Sequence, residues 1–163
     1  MKAGPTVKIT EADLRNPDHR AAIVRLNEDF AVISDVSLPD DHAEGLDSLL
    51  ATHPTVFAYL AWDDADEAIG YALCQFAISS FLPGMIVNLH DIYIAEQGRS
   101  RGLGRAMIAR LEERAREQGC GKITLEVTNT NVKAQKLYRE LGFSDGHPDG
   151  DGDSTWFWYR MLD

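Results

Sequence analysis

The 163-residue sequence has only two cysteines, Cys74 and Cys120, too few for a disulfide-stapled domain and without metal-ligand spacing. They read as free thiols of a reducing cytoplasm. Its longest apolar run, Thr55 to Trp62, is far short of the roughly 20 residues a membrane helix needs. The opening Met-Lys-Ala-Gly-Pro-Thr has no apolar stretch and does not read as a signal peptide. Between residues 26 and 98 there is no Lys or Arg at all, against 13 acidic residues. With a net charge of −10, the basic face on which non-specific nucleic-acid binding relies is missing. His19, His42, His53 and His147 have no ligand spacing either, so no metal site is expected.

What is present is an ordinary globular composition, 44% hydrophobic and 26% charged, with too many apolar residues for intrinsic disorder. A single domain over residues 1–163 is expected at this length. The charge is strongly patterned. Residues 99–139 carry 10 basic and 4 acidic groups, whereas residues 140–163 carry 1 basic and 6 acidic. A short positive segment suits an anion, and acidic surroundings suit a cation.

Hydrophobic periodicity predicts a strand at Val7–Thr10, then a helix carrying Leu14, Ile23, Leu26 and Phe30, with Asn16-Pro17 interrupting its start. Val32–Glu44 reads as a loop and Leu46–Ala51 as a short helix. Strands follow at Thr55–Trp62, Ala68–Ser79 and Met85–Ala95, an antiparallel meander whose third strand is apolar enough to be central. A helix with Leu103, Met107, Leu111 and Ala115 on one stripe ends at Gly119. Lys122–Thr128 alternates as a strand, Val132–Leu141 is a last helix, and Ser154–Leu162 a last strand. The fold class is therefore α+β (mixed α/β), with a mostly antiparallel central sheet of six or seven strands and about four helices.

Arg99-x-x-Gly102-x-Gly104 stands between a strand and a helix, where free N–H groups and the helix dipole favour a phosphate. Arg101 and Arg105 add charge to the same turn. No Gly-Lys-Ser/Thr is present, and the third glycine of a dinucleotide fingerprint is missing.

Asp91-Ile92-Tyr93-Ile94, then Arg99-Ser100-Arg101-Gly102-Leu103-Gly104, then Asn131-x-x-Ala134-x-x-Leu137-Tyr138-x-x-Leu141-Gly142-Phe143, resemble the successive signatures of the GNAT N-acetyltransferases. The resemblance covers roughly residues 55–162 and implies a GNAT-like fold with acetyl-CoA as co-substrate. It implies that the backbone of Ile92, Tyr93 and Ile94 pairs with the pantetheine arm. It further implies that Arg99, Ser100, Arg101, Gly102, Leu103, Gly104 and Arg105 cradle the pyrophosphate, and that Asn131 contacts the cofactor.

Acetyl transfer to an amine needs a base, an oxyanion donor and an acid for the departing thiolate. Tyr138 matches the family tyrosine that protonates the sulfur, although its periodicity with Ala134, Leu137 and Leu141 also reads as core. Two base candidates rank level. Glu126, in Leu125-Glu126-Val127, resembles the base of the ribosomal-protein N-terminal acetyltransferases. His90 lies in Leu89-His90-Asp91-Ile92-Tyr93, which resembles the polyamine acetyltransferases, although these usually carry Glu at that position. Asp91 ranks behind them, and a chain of waters remains an alternative. Ile69-Gly70-Tyr71-Ala72-Leu73, with Phe81-Leu82-Pro83-Gly84, also resembles the diamine and polyamine acetyltransferases.

The acceptor implied is a small cationic amine such as a di- or polyamine, lying between the acidic stretches Ser34–Asp41 and Asp145–Asp153. A protein N-terminus or lysine, or a non-catalytic acyl-CoA-sensing module, are the alternatives. Trp156, Phe157 and Trp158 alternate faces of the last strand, so some are core; a cytoplasmic homodimer is expected to use the exposed remainder, with neither nucleic acid nor membrane as partner.

Overall fold

The computed structural model describes residues 7–81, 83–145 and 155–162. The chain forms two compact units: Met1–Leu73 with Asp91–Met107, and Cys74–His90 with Ile108–Asp163.

The first unit contains β1 (Lys8–Glu11), α1 (Pro17–Ile33), α2 (His42–Thr52) and β2 (Val56–Trp62). It also holds the beginning of β3 (Ala68–Ser79), the end of β4 (Gly84–Ile94) and the start of α3 (Leu103–Glu117). Its strand order is β1-β2-β3-β4. β1 runs antiparallel to β2 from Lys8↔Trp62 to Glu11↔Tyr59, and the Asp63 amide donates to the Glu67 carbonyl at 2.9 Å to close the turn into β3. Asn16-Pro17 begins α1 rather than interrupting it. The Asn16 side chain accepts from the Asp18 amide at 2.9 Å, and Pro17 occupies a first turn whose amides have no helical acceptor. Leu14 therefore precedes the helix. α1 also runs on to Ile33 and α2 starts at His42, so the loop between them is only residues 34–41. Ile23 and Leu26 of α1, Leu50 of α2, Leu60 of β2, Tyr71 of β3 and Tyr93 of β4 meet in one core. Arg20 pairs with Asp47 at 2.7 Å and joins α1 to α2.

The second unit holds the rest of β3, β4 and α3, with β5 (Lys122–Thr128), α4 (Val132–Glu140), β6 (Ser144–Asp145) and β7 (Thr155–Met161). Its strand order is β3-β4-β5-β7-β6. β4 and β5 are parallel from Ile86↔Lys122 to Leu89↔Leu125, a pairing that requires a crossover, and α3 supplies it. β5 is antiparallel to β7 along its whole length. Trp158 is fully buried, and Arg160 on β7 pairs with Glu112 on α3 at 2.7 Å.

Seven strands and four α-helices among the described residues match the expected architecture, and the expected stripe Leu103, Met107, Leu111 and Ala115 is buried throughout. β4 is fourth in the seven-strand order, the central position expected; Val87 and Leu89 on it are buried, whereas Met85 near its start is exposed. β6 was not foreseen, because two residues carry no periodicity. Leu82, His147, Asp149, Asp151 and Asp153 lie outside the described residues, as do the side chains of Asp145 and Trp156.

Candidate active site

In the first unit, β4 ends at Ile94 and a 3-10 turn at Glu96–Gly98 leads into the loop before α3. The turn packs tightly: a Cβ on Gly98 would stand 2.9 Å from Ile94 Cγ2 and 3.2 Å from both Ile69 Cδ1 and Leu103 Cδ1. Arg99 Nε donates to the Ile94 carbonyl at 3.1 Å, so this guanidinium anchors the loop to the strand as well as adding charge. Ser100 (φ 61°) and Gly102 (φ 75°) take the left-handed region on either side of Arg101. Left-handed residues alternating with ordinary ones turn successive amides toward one concavity, a geometry that favours anions. The first bond of the α3 ladder runs from the Ala106 amide to the Gly102 carbonyl at 3.0 Å. The amides of Leu103, Gly104 and Arg105 therefore precede the ladder and add the positive end of the helix dipole. All the sequence candidates from Ile92 to Arg105 come together in this unit. Gly104 lies inside α3, so of the two glycines in the motif only Gly102 takes the left-handed backbone that favours glycine.

The second unit holds Tyr138, Glu126, His90 and Asn131. Tyr138 is buried, its ring 5.8 Å from Phe143 and 6.4 Å from Trp158. Trp158 stands opposite Leu125, so Tyr138 packs on the sheet face that carries Leu125. Glu126 stands opposite the exposed Phe157 on the other face and is itself exposed. Asn88 is in register with Thr124, and its Nδ2 donates to Thr124 Oγ1 at 3.1 Å. His90 follows Asn88 by two residues and Glu126 follows Thr124 by two, so strand alternation puts both base candidates on this one face. The β4–β5 register ends at Leu89↔Leu125, immediately before them. Asn131 is the N-cap of α4: its Oδ1 accepts from the Ala134 amide at 3.1 Å, a structural task the sequence reading did not assign.

Gln135 was missed, and so were the partners that join Tyr71, Asn27 and His42 to Asp91. Buried Gln135 donates through Nε2 to the Thr128 and Asn129 carbonyls, both at 2.9 Å, and fixes the turn between β5 and α4. An amide on the inner side of a short helix was the available signal. In the first unit, fully buried Tyr71 receives a hydrogen bond from Asn27 Nδ2 at 2.8 Å and is hydrogen-bonded to Asp91. Asn27 Oδ1 in turn meets His42 Nε2 at 2.9 Å. No local pattern links these four positions. A cavity of 560 Å³ between Glu11–Arg15 and Leu50–Pro54 is lined by none of the sequence candidates.

The family model for the acetyltransferase (GNAT) family matches residues 20–143. The chain is 28% identical over 109 residues to the aminoglycoside N(6')-acetyltransferase type 1 of Serratia marcescens, covering 66% of this chain and 75% of that protein. It is 39% identical over 77 residues to the thialysine N-epsilon-acetyltransferase of Mus musculus, covering 47% of this chain and 45% of that one. The match thus spans less than half the length of the second relative. An acetyltransferase of the GNAT family from Staphylococcus aureus Mu50 has a similar fold, with a TM-score of 0.75, 16% identity and coverage of 97% and 100% of the two chains.

Proposed function

We propose that this chain, which belongs to the acetyltransferase (GNAT) family and uses acetyl-CoA as co-substrate, transfers the acetyl group to the primary amine of a small cationic acceptor. The observation that carries the reading is the turn before α3, where the left-handed backbone of Ser100 and Gly102 and three arginines surround the start of the helix. Such a turn suits the pyrophosphate of the co-substrate. The 163 residues act as one acetyltransferase domain. The substrate class is supported by the acidic, Lys- and Arg-free stretch of residues 26–98 and by relatives named for aminoglycoside and thialysine acetylation.

In this reading the amine attacks the thioester directly. Glu126 or His90 takes up its proton, and Tyr138 returns one to the departing sulfur. Phe157, Tyr159 and Met161 alternate along β7 and are exposed, which supports a homodimer that covers them. The two free cysteines agree with a cytoplasmic setting.

The test is thiol release from acetyl-CoA with di- and polyamines, aminoglycosides, free lysine and peptides with a free N-terminus. Small polycations are expected to be the best acceptors, and Tyr138→Phe to lower kcat by about 10²-fold, the low end for a general acid. Preference for the peptide favours the N-terminal alternative. Binding of CoA without thiol release from any acceptor favours a sensor. An unchanged rate in Tyr138→Phe removes the acid assignment.

A further inference from the structure

The Asp91–Tyr71–Asn27–His42 chain lies wholly in the first unit and draws on four elements: β4, β3, α1 and α2. Its direction follows from the donors available. An ionised carboxylate only accepts, so the single Tyr71 hydrogen goes to Asp91. The Tyr71 oxygen then accepts from Asn27 Nδ2, at 2.8 Å. That turns Asn27 Oδ1 toward His42, and since this oxygen only accepts, His42 Nε2 carries the hydrogen across the 2.9 Å contact. Every donor in the chain points toward the Asp91 carboxylate.

Tyr71 is fully buried, whereas Asp91 and His42 are half-buried, so the chain crosses the core and reaches partly open ground at both ends. Burial first, and then the charge of Asp91, hold the Tyr71 phenol above its ordinary range, so it remains a donor at every working pH. The ring cannot swing away, because it is packed in the core with Leu26, Leu60 and Tyr93. A hydroxyl fixed in this way sets the orientation of the carboxylate it serves. His42 is the first residue of α2, directly after the acidic loop 34–41, and Asp91 directly precedes Ile92–Ile94 on β4.

We infer that Tyr71 is a positioning residue: with Asn27 and His42 behind it, it holds the Asp91 carboxylate, charged and aimed, for the ammonium of the acceptor. This deepens the proposed function and rests on its cationic-acceptor reading. Asp91 meets the substrate, and Tyr71 acts only through Asp91.

Two measurements on Tyr71→Phe, Asp91→Asn and the double variant test it. The first is steady-state kinetics with 1,4-diaminobutane as acceptor. Tyr71→Phe is expected to raise KM for the diamine about tenfold, the loss of one hydrogen bond to a charged group, with kcat and the KM for acetyl-CoA changing less than twofold. In the Asp91→Asn background the same substitution is expected to add nothing, and His42→Ala should show a smaller rise of the same kind. The second is a ¹³C NMR titration of the Asp91 carboxyl, assigned by its loss in Asp91→Asn. Its midpoint should rise by about one pH unit in Tyr71→Phe. An unchanged KM, an effect that adds fully to Asp91→Asn, or an unmoved midpoint overturns the inference. If the wild type acetylates no cationic amine, the substrate reading fails, and the titration alone then decides the chain of donors.

Discussion

Two glycines do different work, and substitution separates them. Gly102 has open space where a Cβ would stand but a φ of 75°. Gly102→Ala therefore strains the backbone by about 1 kcal/mol and tilts the proposed anion cradle. The KM for acetyl-CoA is expected to rise several-fold with a melting temperature only slightly lowered. Gly70 has an ordinary φ but no space: a Cβ would stand 3.0 Å from the Tyr93 carbonyl and 2.7 Å from Ile94 Cδ1. Gly70→Ala is expected to cost about 1–3 kcal/mol of stability by overpacking, read by thermal denaturation. The sequence marked Gly102 through the arginines beside it. It could not show that Gly70 faces the end of β4, because that contact joins positions more than twenty apart.

At the scale of elements, α4 shows how one residue can carry two readings. Asn131 caps the helix, so Asn131→Ala is expected to lower stability by about 1 kcal/mol and Asn131→Ser to restore most of it. If Asn131 also contacts the cofactor, the KM for acetyl-CoA stays raised in the Ser variant. α3 and β7 are joined by Glu112, which meets Arg116 on its own helix and Arg160 at 2.7 Å. Burial pushes the Glu112 carboxyl up, but hydrogen bonds and charges from the two arginines outweigh it and leave it below its ordinary value. A lowered carboxyl stabilises the fold above the unfolded value of about 4.3 and loses that contribution as pH falls through the folded value. Glu112→Gln is expected to melt about 1–2 °C lower at pH 7, with the difference closing in acid. Element types and order were legible because period-2 and period-3.6 patterns are local. The start of α1 was not, since Asn16-Pro17 reads as a break until its cap bond to Asp18 is seen.

For the whole molecule, the net charge of −10 has a functional consequence if the acceptor is a cation. Raising ionic strength from about 0.1 to about 1 M shortens the Debye length from about 10 to about 3 Å. The KM for 1,4-diaminobutane is expected to rise several-fold over that range and that for a monoamine less; equal changes would remove the electrostatic account. The kinds and order of the main elements, the glycine and arginine turn before α3 and the uneven spread of charge are legible in the order of the residues alone. These follow from neighbours along the chain. That Glu126 and His90 share a face opposite the Tyr138 side depends on strand register, which is set when β4, β5 and β7 pair. Packing likewise joined His42, Asn27 and Tyr71 into one chain of donors that ends on Asp91. Their spacing fits no helical or strand period, and they meet only because α1 and α2 pack with β3 and β4 around a common core.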